Sequence, residues 1–183
     1  LGERIRLVRQ PENRGTYAAR NAGLDACGGE FVAFQDSDDW SHPRRLELQV
    51  APMLADETIA CVNLSGAIAS EQELHDRNTI KMVTGRGGQV LYLSRQPIPD
   101  MGSRPFEVGP WRKQVCVIPF RRAALEAFAG LPRGPLEELE SIDMLRFLEN
   151  GLPVLAVPTR VETHAVDVPG DVEIVTRLMA RHP

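Results

Sequence analysis

The sequence contains few aromatic residues and no block of basic residues. Aromatic side chains make up 5% of its 183 residues, and its net charge is −4. Domains that bind nucleic acid usually carry a basic face, so we expect no nucleic-acid partner. No apolar run approaches the length that crosses a bilayer, and no signal peptide opens the chain, so we also expect no membrane span.

Cysteine is also scarce, and its three copies are far apart. Cys27, Cys61 and Cys116 are odd in number and lack the spacing of a metal site. This pattern indicates reduced thiols and predicts a cytoplasmic protein. A chain of 183 residues can form one domain with a hydrophobic core but is too short for two large ones.

Short apolar runs alternate with segments of helical periodicity along the chain. The predicted strands are 5–8, 31–35, 59–64, 80–83, 90–93, 114–118 and 154–157. The predicted helices are 17–26, 43–54, 71–75, 122–128, 137–149 and 171–179. Strands that alternate with helices favour a mostly parallel sheet that is covered on both faces. The sequence therefore predicts an α/β fold.

Three aspartates, Asp36, Asp38 and Asp39, follow the apolar run 31–34 directly. The run predicts a buried strand, and open α/β sheets bind their ligands at the carboxyl ends of strands. Clustered carboxylates repel each other, and a divalent ion such as Mg²⁺ or Mn²⁺ that bridges a diphosphate supplies the counter-charge. A solvated acidic turn is the alternative interpretation, because Asp and Ser are ordinary turn residues.

Four segments in the first third of the chain form a specific pattern. They are Asn-Arg-Gly-Thr-Tyr-Ala-Ala-Arg-Asn-Ala-Gly-Leu at 13–24, Gly-Glu-Phe-Val-Ala-Phe at 29–34, Asp-Ser-Asp-Asp-Trp at 36–40 and His-Pro at 42–43. With them, residues 5–54 resemble family 2 glycosyltransferases. The resemblance implies that the aspartates hold a divalent ion on a nucleotide-sugar diphosphate, and that Arg20 and Asn21 line the nucleotide site. An Arg near a helix start suits a phosphate or a base edge, whereas a surface helix position is the alternative for Arg20.

A second pattern begins near residue 59. Its segments include Cys-Val-Asn-Leu at 61–64, Asn-Thr-Ile-Lys-Met-Val at 78–83, Leu-Tyr-Leu-Ser-Arg-Gln-Pro-Ile-Pro at 91–99, Lys-Gln-Val-Cys-Val-Ile-Pro-Phe-Arg-Arg at 113–122, Glu-Ser-Ile-Asp-Met-Leu-Arg at 140–146 and Ala-Val-Asp-Val-Pro-Gly-Asp at 165–171. This part resembles the C-terminal half of CMP-Kdo synthetase-like cytidylyltransferases. Those enzymes activate an acidic sugar with CTP and release pyrophosphate.

The second resemblance implies a sugar pocket and a further metal ligand. Ser94, Arg95 and Gln114 would border the pocket, and Asp167 would help to hold magnesium. Arg95 and Lys81 could pair with a sugar carboxylate, Arg95 through a two-pronged contact. Surface salt bridges are the alternative for these two cations, and capping of the last helix is the alternative for Asp167.

Two further carboxylates are candidates for the sugar pocket. Glu137 and Glu140 are spaced so that they lie one turn apart on the same face of a predicted helix. We predict that they bind sugar hydroxyls, and a solvated helix face is the alternative interpretation. No histidine shows a pattern that assigns it a catalytic role, and no catalytic residue is identified.

Both resemblances imply a related nucleotide-sugar fold. We therefore expect one composite domain, a GT-A-like three-layer sandwich, with a glycosyltransferase-like segment at 1–57 and a cytidylyltransferase-like segment at 58–183. The nucleotide-binding loop that opens both families has no counterpart in the sequence, so we expect an N-terminally incomplete fold. An uncovered sheet edge would also favour a homodimer.

Three functions stay open at this point. The first is a cytidylyltransferase that activates a Kdo-like sugar for surface polysaccharide synthesis, with CTP and the acidic sugar as partners. The second is a family 2 glycosyltransferase that uses a nucleotide-sugar donor. The third is an inactive fragment or scaffold without the nucleotide loop. The first ranks above the second because its resemblance covers more of the chain.

Overall fold

The computed structural model describes residues 5–36, 44–160 and 171–180. Its helices are α1 Thr16–Ala26, α2 Arg45–Ala55, α3 Glu71–His75, α4 Arg122–Gly130, α5 Pro135–Glu140, α6 Met144–Glu149 and α7 Asp171–Ala180. Its strands are β1 Phe31–Ala33, β2 Cys61–Ala67, β3 Lys81–Thr84, β4 Val90–Ser94, β5 Arg112–Val115, β6 Pro119–Arg121 and β7 Val154–Pro158. The predicted α/β class is confirmed. None of the described helices is long and apolar enough to span a membrane.

The described strands form one sheet, which is mainly antiparallel. Its order is β1-β6-β2-β5-β3-β4, and β7 pairs with the opposite edge of β2. Among the described strands, β2 and β7 are the one parallel pair. The prediction of a mostly parallel sheet is therefore wrong. The alternation of predicted strands and helices suggested parallel strands. However, β3 and β4 are joined by a short turn, and neighbouring strands joined in this way run antiparallel.

The predicted strand 114–118 is divided by a kink. Val117 has a φ of 64°, in the left-handed region that β-branched residues rarely adopt. Gln49 of α2 donates from Nε2 to the carbonyls of Val117 at 3.0 Å and Val62 at 3.2 Å. This buried amide holds the kink against β2. Consequently β5 and β6 run in the same direction along β2 as two short strands instead of one.

The predicted helix 137–149 is also two elements. α5 ends because Ser141 adopts a φ of 52°, and α6 begins only at Met144. The two helices are tied together by Arg146, whose Nε donates to Oε2 of Glu137 at 2.6 Å. Helical periodicity continues across the break, so the sequence pattern does not reveal it. The predicted strand 5–8 is likewise absent, since these residues are exposed and form no regular structure.

The main core lies between the sheet and helices α4 to α6. Cys61, Leu93, Leu145 and Val154 are almost completely buried there, and Phe147 stacks between two further phenylalanines. Successive side chains of a strand point to opposite faces, so the burial of both Cys61 and Val62 means that both faces of β2 are covered. Apolar burial of this kind supplies most of the favourable free energy of folding.

Candidate functional site

The strands that precede the predicted metal ligands have their carboxyl ends at the same end of the sheet. β1 and β2 both pair antiparallel with β6, so they run in the same direction, and β7 runs parallel to β2. Asp36 follows β1, and Asp167 belongs to the segment after β7. Asp38, Asp39 and Asp167 themselves lie outside the described residues. The directions of β1, β2 and β7 thus place their carboxyl ends at the same end of the sheet, and the metal site there stays a prediction.

Asp36 is the predicted metal ligand that the structure describes. Its side chain is 58% exposed and forms an ion pair with Arg20, whose NH2 lies 3.0 Å from Oδ1 and 3.3 Å from Oδ2. An exposed carboxylate at a strand end suits a hard divalent cation. Within residues 5–36, 44–160 and 171–180, no three His, Cys, Asp or Glu side chains are grouped as a metal site. The part of Asp36 in a metal site therefore stays a prediction, and its carboxylate is paired with Arg20 in the structure.

An open cleft of about 300 Å³ lies between α1 and the end of β1. It is lined by Thr16, Ala19, Arg20, Gly23, Phe34, Gln35 and Asp36. The four α1 residues have the spacing i, i+3, i+4 and i+7, so they share one helix face. The guanidinium of Arg20 lies 5.6 Å from the centre of the Phe34 ring, within the range of a cation–π contact. Asn21 is exposed and does not line this cleft.

Three predicted sugar-binding residues form one hydrogen-bonded cluster. Oε1 of Glu140 accepts from Ser94 Oγ at 2.6 Å and from Tyr92 Oη at 3.4 Å, and Oε2 accepts from the Arg95 amide at 2.9 Å. Partial burial opposes ionisation of Glu140, but these donors outweigh it, so its pKa lies below the ordinary value. The carboxylate therefore fixes the end of β4 to the end of α5. Sequence reasoning missed Tyr92, whose alternation with Ser94 along β4 was the available signal.

The side chain of Arg95 binds the backbone around it. Nε donates to Glu140 O at 2.8 Å, NH1 to Arg77 O at 2.9 Å, and NH2 to Ser141 O at 3.1 Å. The carbonyls of Glu140 and Ser141 belong to the end of α5, where helices leave acceptors unsatisfied. A guanidinium has more N–H donors than these three contacts use. Arg95 is thus held in one orientation and retains donors for a ligand.

Two other predicted sugar-binding residues are buried with partners of their own. Lys81 is 0% exposed, and its Nζ donates to the carbonyls of Asp76 and Thr79, both at 2.7 Å. Burial lowers the pKa of Lys81. Glu137 is 1% exposed, and hydrogen bonds from Arg146 lower its pKa against the opposing effect of burial. Their part in sugar binding stays a prediction, since both side chains are satisfied inside the fold.

Gln114 lies apart from the Ser94 cluster. Lys113, Lys81 and Ser94 are aligned across three neighbouring strands and therefore share one face of the sheet. Gln114 follows Lys113 and points to the other face, opposite Ser65 of β2. Asn63 of β2 shares that face, because it lies two residues before Ser65 on the same strand. It is 0% exposed, and neither polar atom of its amide has a hydrogen-bond partner.

Comparison with known proteins shows likeness to two families. The family model described as glycosyl transferase family 2 matches residues 1–112. A 3-deoxy-manno-octulosonate cytidylyltransferase of Solibacter usitatus is 32% identical over 178 residues, which cover 97% of this chain and 70% of that protein. A protein of the same name from Syntrophotalea carbinolica is 36% identical over 179 residues, with coverages of 93% and 71%. The second likeness thus extends over nearly the whole chain.

A solved structure shows the same fold. CMP:2-keto-3-deoxy-manno-octonic acid synthetase, solved in complex with CTP, superposes with a TM-score of 0.77 at 25% identity, covering 89% of this chain and 68% of that one. This chain therefore has the α/β fold of nucleotide-sugar transferases, and both predicted resemblances are confirmed. The chain belongs to the 3-deoxy-manno-octulosonate cytidylyltransferases and, through residues 1–112, to glycosyl transferase family 2.

Proposed function

We propose that this chain transfers CMP from CTP to an acidic, Kdo-like sugar and releases pyrophosphate, as a step towards surface polysaccharide. The observation that carries the proposal is the 32% identity, over 178 residues, to a protein named for this reaction. The CTP held by the similar synthetase supports the choice of nucleotide. In the reaction a sugar hydroxyl attacks the α-phosphorus of CTP, and the bond to the β-phosphate breaks.

We assign the nucleotide to the cleft between α1 and β1. Arg20 offers a guanidinium to phosphate oxygens there, and Asn21 on the same helix is a further candidate contact. We assign a divalent ion, Mg²⁺ or Mn²⁺, to Asp36 together with Asp38, Asp39 and Asp167. Such an ion supplies positive charge against the phosphates when it is bound.

We assign the acidic sugar to the neighbourhood of Arg95. Three backbone carbonyls fix its guanidinium, so the donors that remain are pre-organised for a carboxylate, and little side-chain entropy is lost on binding. Ser94 and Glu140 hold this arrangement at the end of β4. We propose a supporting role for Lys81, whose Nζ binds the turn that presents the Arg77 carbonyl to Arg95.

We assign separate roles to Gln114 and Glu137, because Gln114 points to the sheet face opposite to that of Lys81 and Ser94, and Glu137 is buried. Gln114 is half-buried and carries an amide that can bind a sugar hydroxyl. Glu137 is enclosed by Arg133 and Arg146, so we propose that it supports α5, the helix that carries Glu140.

The test is pyrophosphate release from CTP and Kdo in the presence of Mg²⁺. We expect Arg95→Lys to raise the KM for the sugar at least about tenfold while the KM for CTP changes less than about twofold, because Lys lacks the planar fork. Arg86→Lys is the matched control, since Arg86 is exposed on the β3–β4 turn. Equal KM values for wild type and Arg95→Lys would remove Arg95 from the sugar site.

A family 2 glycosyltransferase is the second candidate, and the family match over residues 1–112 favours it. This activity would need a UDP- or GDP-sugar with Mn²⁺ and would transfer or hydrolyse the sugar. Thermal melting with CTP, UDP-sugar and GDP-sugar separates the two candidates, because a ligand that binds the native state raises its Tm. A Tm that none of these ligands changes would favour the scaffold without nucleotide binding.

A further inference from the structure

We infer that the buried amide of Asn63 binds a hydroxyl group of the sugar, at the inner end of a row of polar side chains on one face of β2 and β5. The inference rests on the proposed function, since it extends the sugar contact assigned to Gln114. It adds a binding residue and predicts that this residue lowers the stability of the free protein.

Asn63 is an unusual residue for its position in the sheet. It is 0% exposed in β2, where Cys61, Val62 and Leu64 are also buried, and Asn is depleted in strands. Within the part of the chain that the structure describes, neither Nδ2 nor Oδ1 of Asn63 has a hydrogen-bond partner. A buried amide without partners costs free energy, and buried polar groups of native proteins are almost always hydrogen-bonded. This points to a partner that comes from outside the chain.

Two further polar residues lead from Asn63 towards the surface. Ser65 lies two residues nearer the carboxyl end of β2, on the same face, and is 3% exposed. It is aligned with Gln114 of β5, which is half-buried. Exposure therefore rises along this polar row, from Asn63 through Ser65 to Gln114. A ligand group reaches Asn63 from the carboxyl end of β2 when the flexible side chain of Gln114 turns aside.

The chemistry of the polar row favours hydroxyl groups over anions. A carboxamide has N–H donors and an acceptor oxygen, so it can bind both the proton and the oxygen of a hydroxyl. Arg112 shares this face, but its guanidinium is turned to Ser65, with Nε donating to Oγ at 3.0 Å and NH2 to the backbone oxygen. Ser65 keeps its own hydroxyl proton to donate. The polar row thus suits the hydroxyls of the sugar, whereas its carboxylate is assigned to Arg95.

Loss of the Asn63 amide should have opposite effects on stability and on sugar binding. Leu is close to Asn in shape, so Asn63→Leu removes a buried polar group that lacks partners and leaves the packing nearly unchanged. We expect its urea midpoint to exceed that of wild type by about 0.5 M. In pyrophosphate release, we expect its KM for Kdo to rise at least about tenfold while the KM for CTP changes less than about twofold, because a sugar hydroxyl is then left unpaired.

Two other amides are the controls. Gln49 is also 0% exposed, but its Nε2 donates to two carbonyls, so Gln49→Met should lower the urea midpoint where Asn63→Leu raises it. Gln72 is exposed on α3, and Gln72→Met should leave both the urea midpoint and the KM for Kdo unchanged.

Monodeoxy analogues of Kdo separate a direct contact from a structural effect. In wild type, the analogue that lacks the hydroxyl bound by Asn63 should have a KM about tenfold above that of Kdo, and in Asn63→Leu this ratio should fall to about one. A wild-type KM for Kdo in Asn63→Leu, a urea midpoint below that of wild type, or unchanged analogue ratios would overturn the inference alone. If wild type releases no pyrophosphate from CTP and Kdo, the proposed function fails and the inference fails with it.

Discussion

The carboxylate of Glu149 occupies the position that a side chain at Gly134 would take. A Cβ atom at Gly134 would overlap this carboxylate. Glu149 lies there because its two oxygens accept the amides of Leu136 at 2.9 Å and Glu137 at 3.1 Å. These amides are in the first turn of α5, where a negative charge also interacts favourably with the positive end of the helix dipole. The glycine is therefore required by the cap and not by its own backbone conformation.

Gly134→Ala should destabilise the protein by about 1 kcal/mol, because the new methyl group displaces the cap. In a Glu149→Ala background the same change should be neutral or stabilising by about 0.5 kcal/mol, since alanine lowers the entropy of the unfolded chain. Urea unfolding of the four proteins of this double-mutant cycle measures the coupling. Gly130→Ala, at the end of α4 with open space around it, is the control and should not destabilise. Additive effects of the two changes would contradict the cap.

Gln49 holds the Val117 kink, and its loss should be costly. Gln49→Met keeps the length of the side chain but leaves the buried carbonyls of Val62 and Val117 without this donor. We expect a destabilisation of about 1 kcal/mol, the net contribution of a typical hydrogen bond, because the Val117 carbonyl keeps Arg45 NH2 as a donor at 3.3 Å. The urea midpoint measures it. Gln72→Met, on the exposed side of α3, should leave the midpoint nearly unchanged. A midpoint for Gln49→Met equal to that of Gln72→Met would show that the kink does not need the amide.

Hydrophobic periodicity predicted the elements that depend on local pattern. Helices α1 to α4 and strands β1, β3, β4 and β7 are close to their predicted bounds. The kink at Val117 and the break at Ser141 were not predictable, because each depends on a left-handed residue held by distant partners. Sheet direction was also missed, since strand alternation does not determine which strands become neighbours.

The candidate site was predictable in part. The Asp36 and Arg20 segments were both identified from sequence, and the structure joins them in one ion pair. Ser94, Arg95 and Glu140 were likewise named, and they bond to one another. The sequence did not reveal that these bonds are internal. A sequence shows which residue types occur and how far apart they are in the chain. The partner of a carboxylate depends instead on the packing of elements that are far apart in the chain.

Stability should fall in acid, because the pKa values of both Glu137 and Glu140 are lowered in the folded protein. The unfolded chain then takes up protons first as the pH falls. The contribution of each carboxylate is therefore complete above about pH 4.5 and is lost as the pH falls through the lowered folded pKa. Urea midpoints between about pH 7 and about pH 3 measure this loss.

Glu140→Gln is the variant that tests the acid prediction. This variant should have a lower urea midpoint than wild type at neutral pH. Its midpoint should also fall less steeply as the pH drops below about 4.5, because one titrating group has been removed. Glu138→Gln, on the exposed surface of the same helix, should leave both quantities unchanged. If the urea midpoint of Glu140→Gln falls with pH as steeply as that of wild type, Glu140 does not contribute to acid unfolding.

Helix α1 should be weakly protected from hydrogen exchange, since it contains no buried residue. Arg122 holds its end by donating to the carbonyls of Leu24 at 3.3 Å and Cys27 at 2.8 Å. Loss of these charge-assisted contacts should raise local opening of α1 roughly tenfold without unfolding the core. Hydrogen exchange followed by mass spectrometry measures this in Arg122→Met, with α1 and β2 peptides compared. Arg86→Met is the control and should leave exchange in both peptides unchanged. Equal acceleration in β2 would mean that Arg122 supports the whole sheet and not α1 in particular.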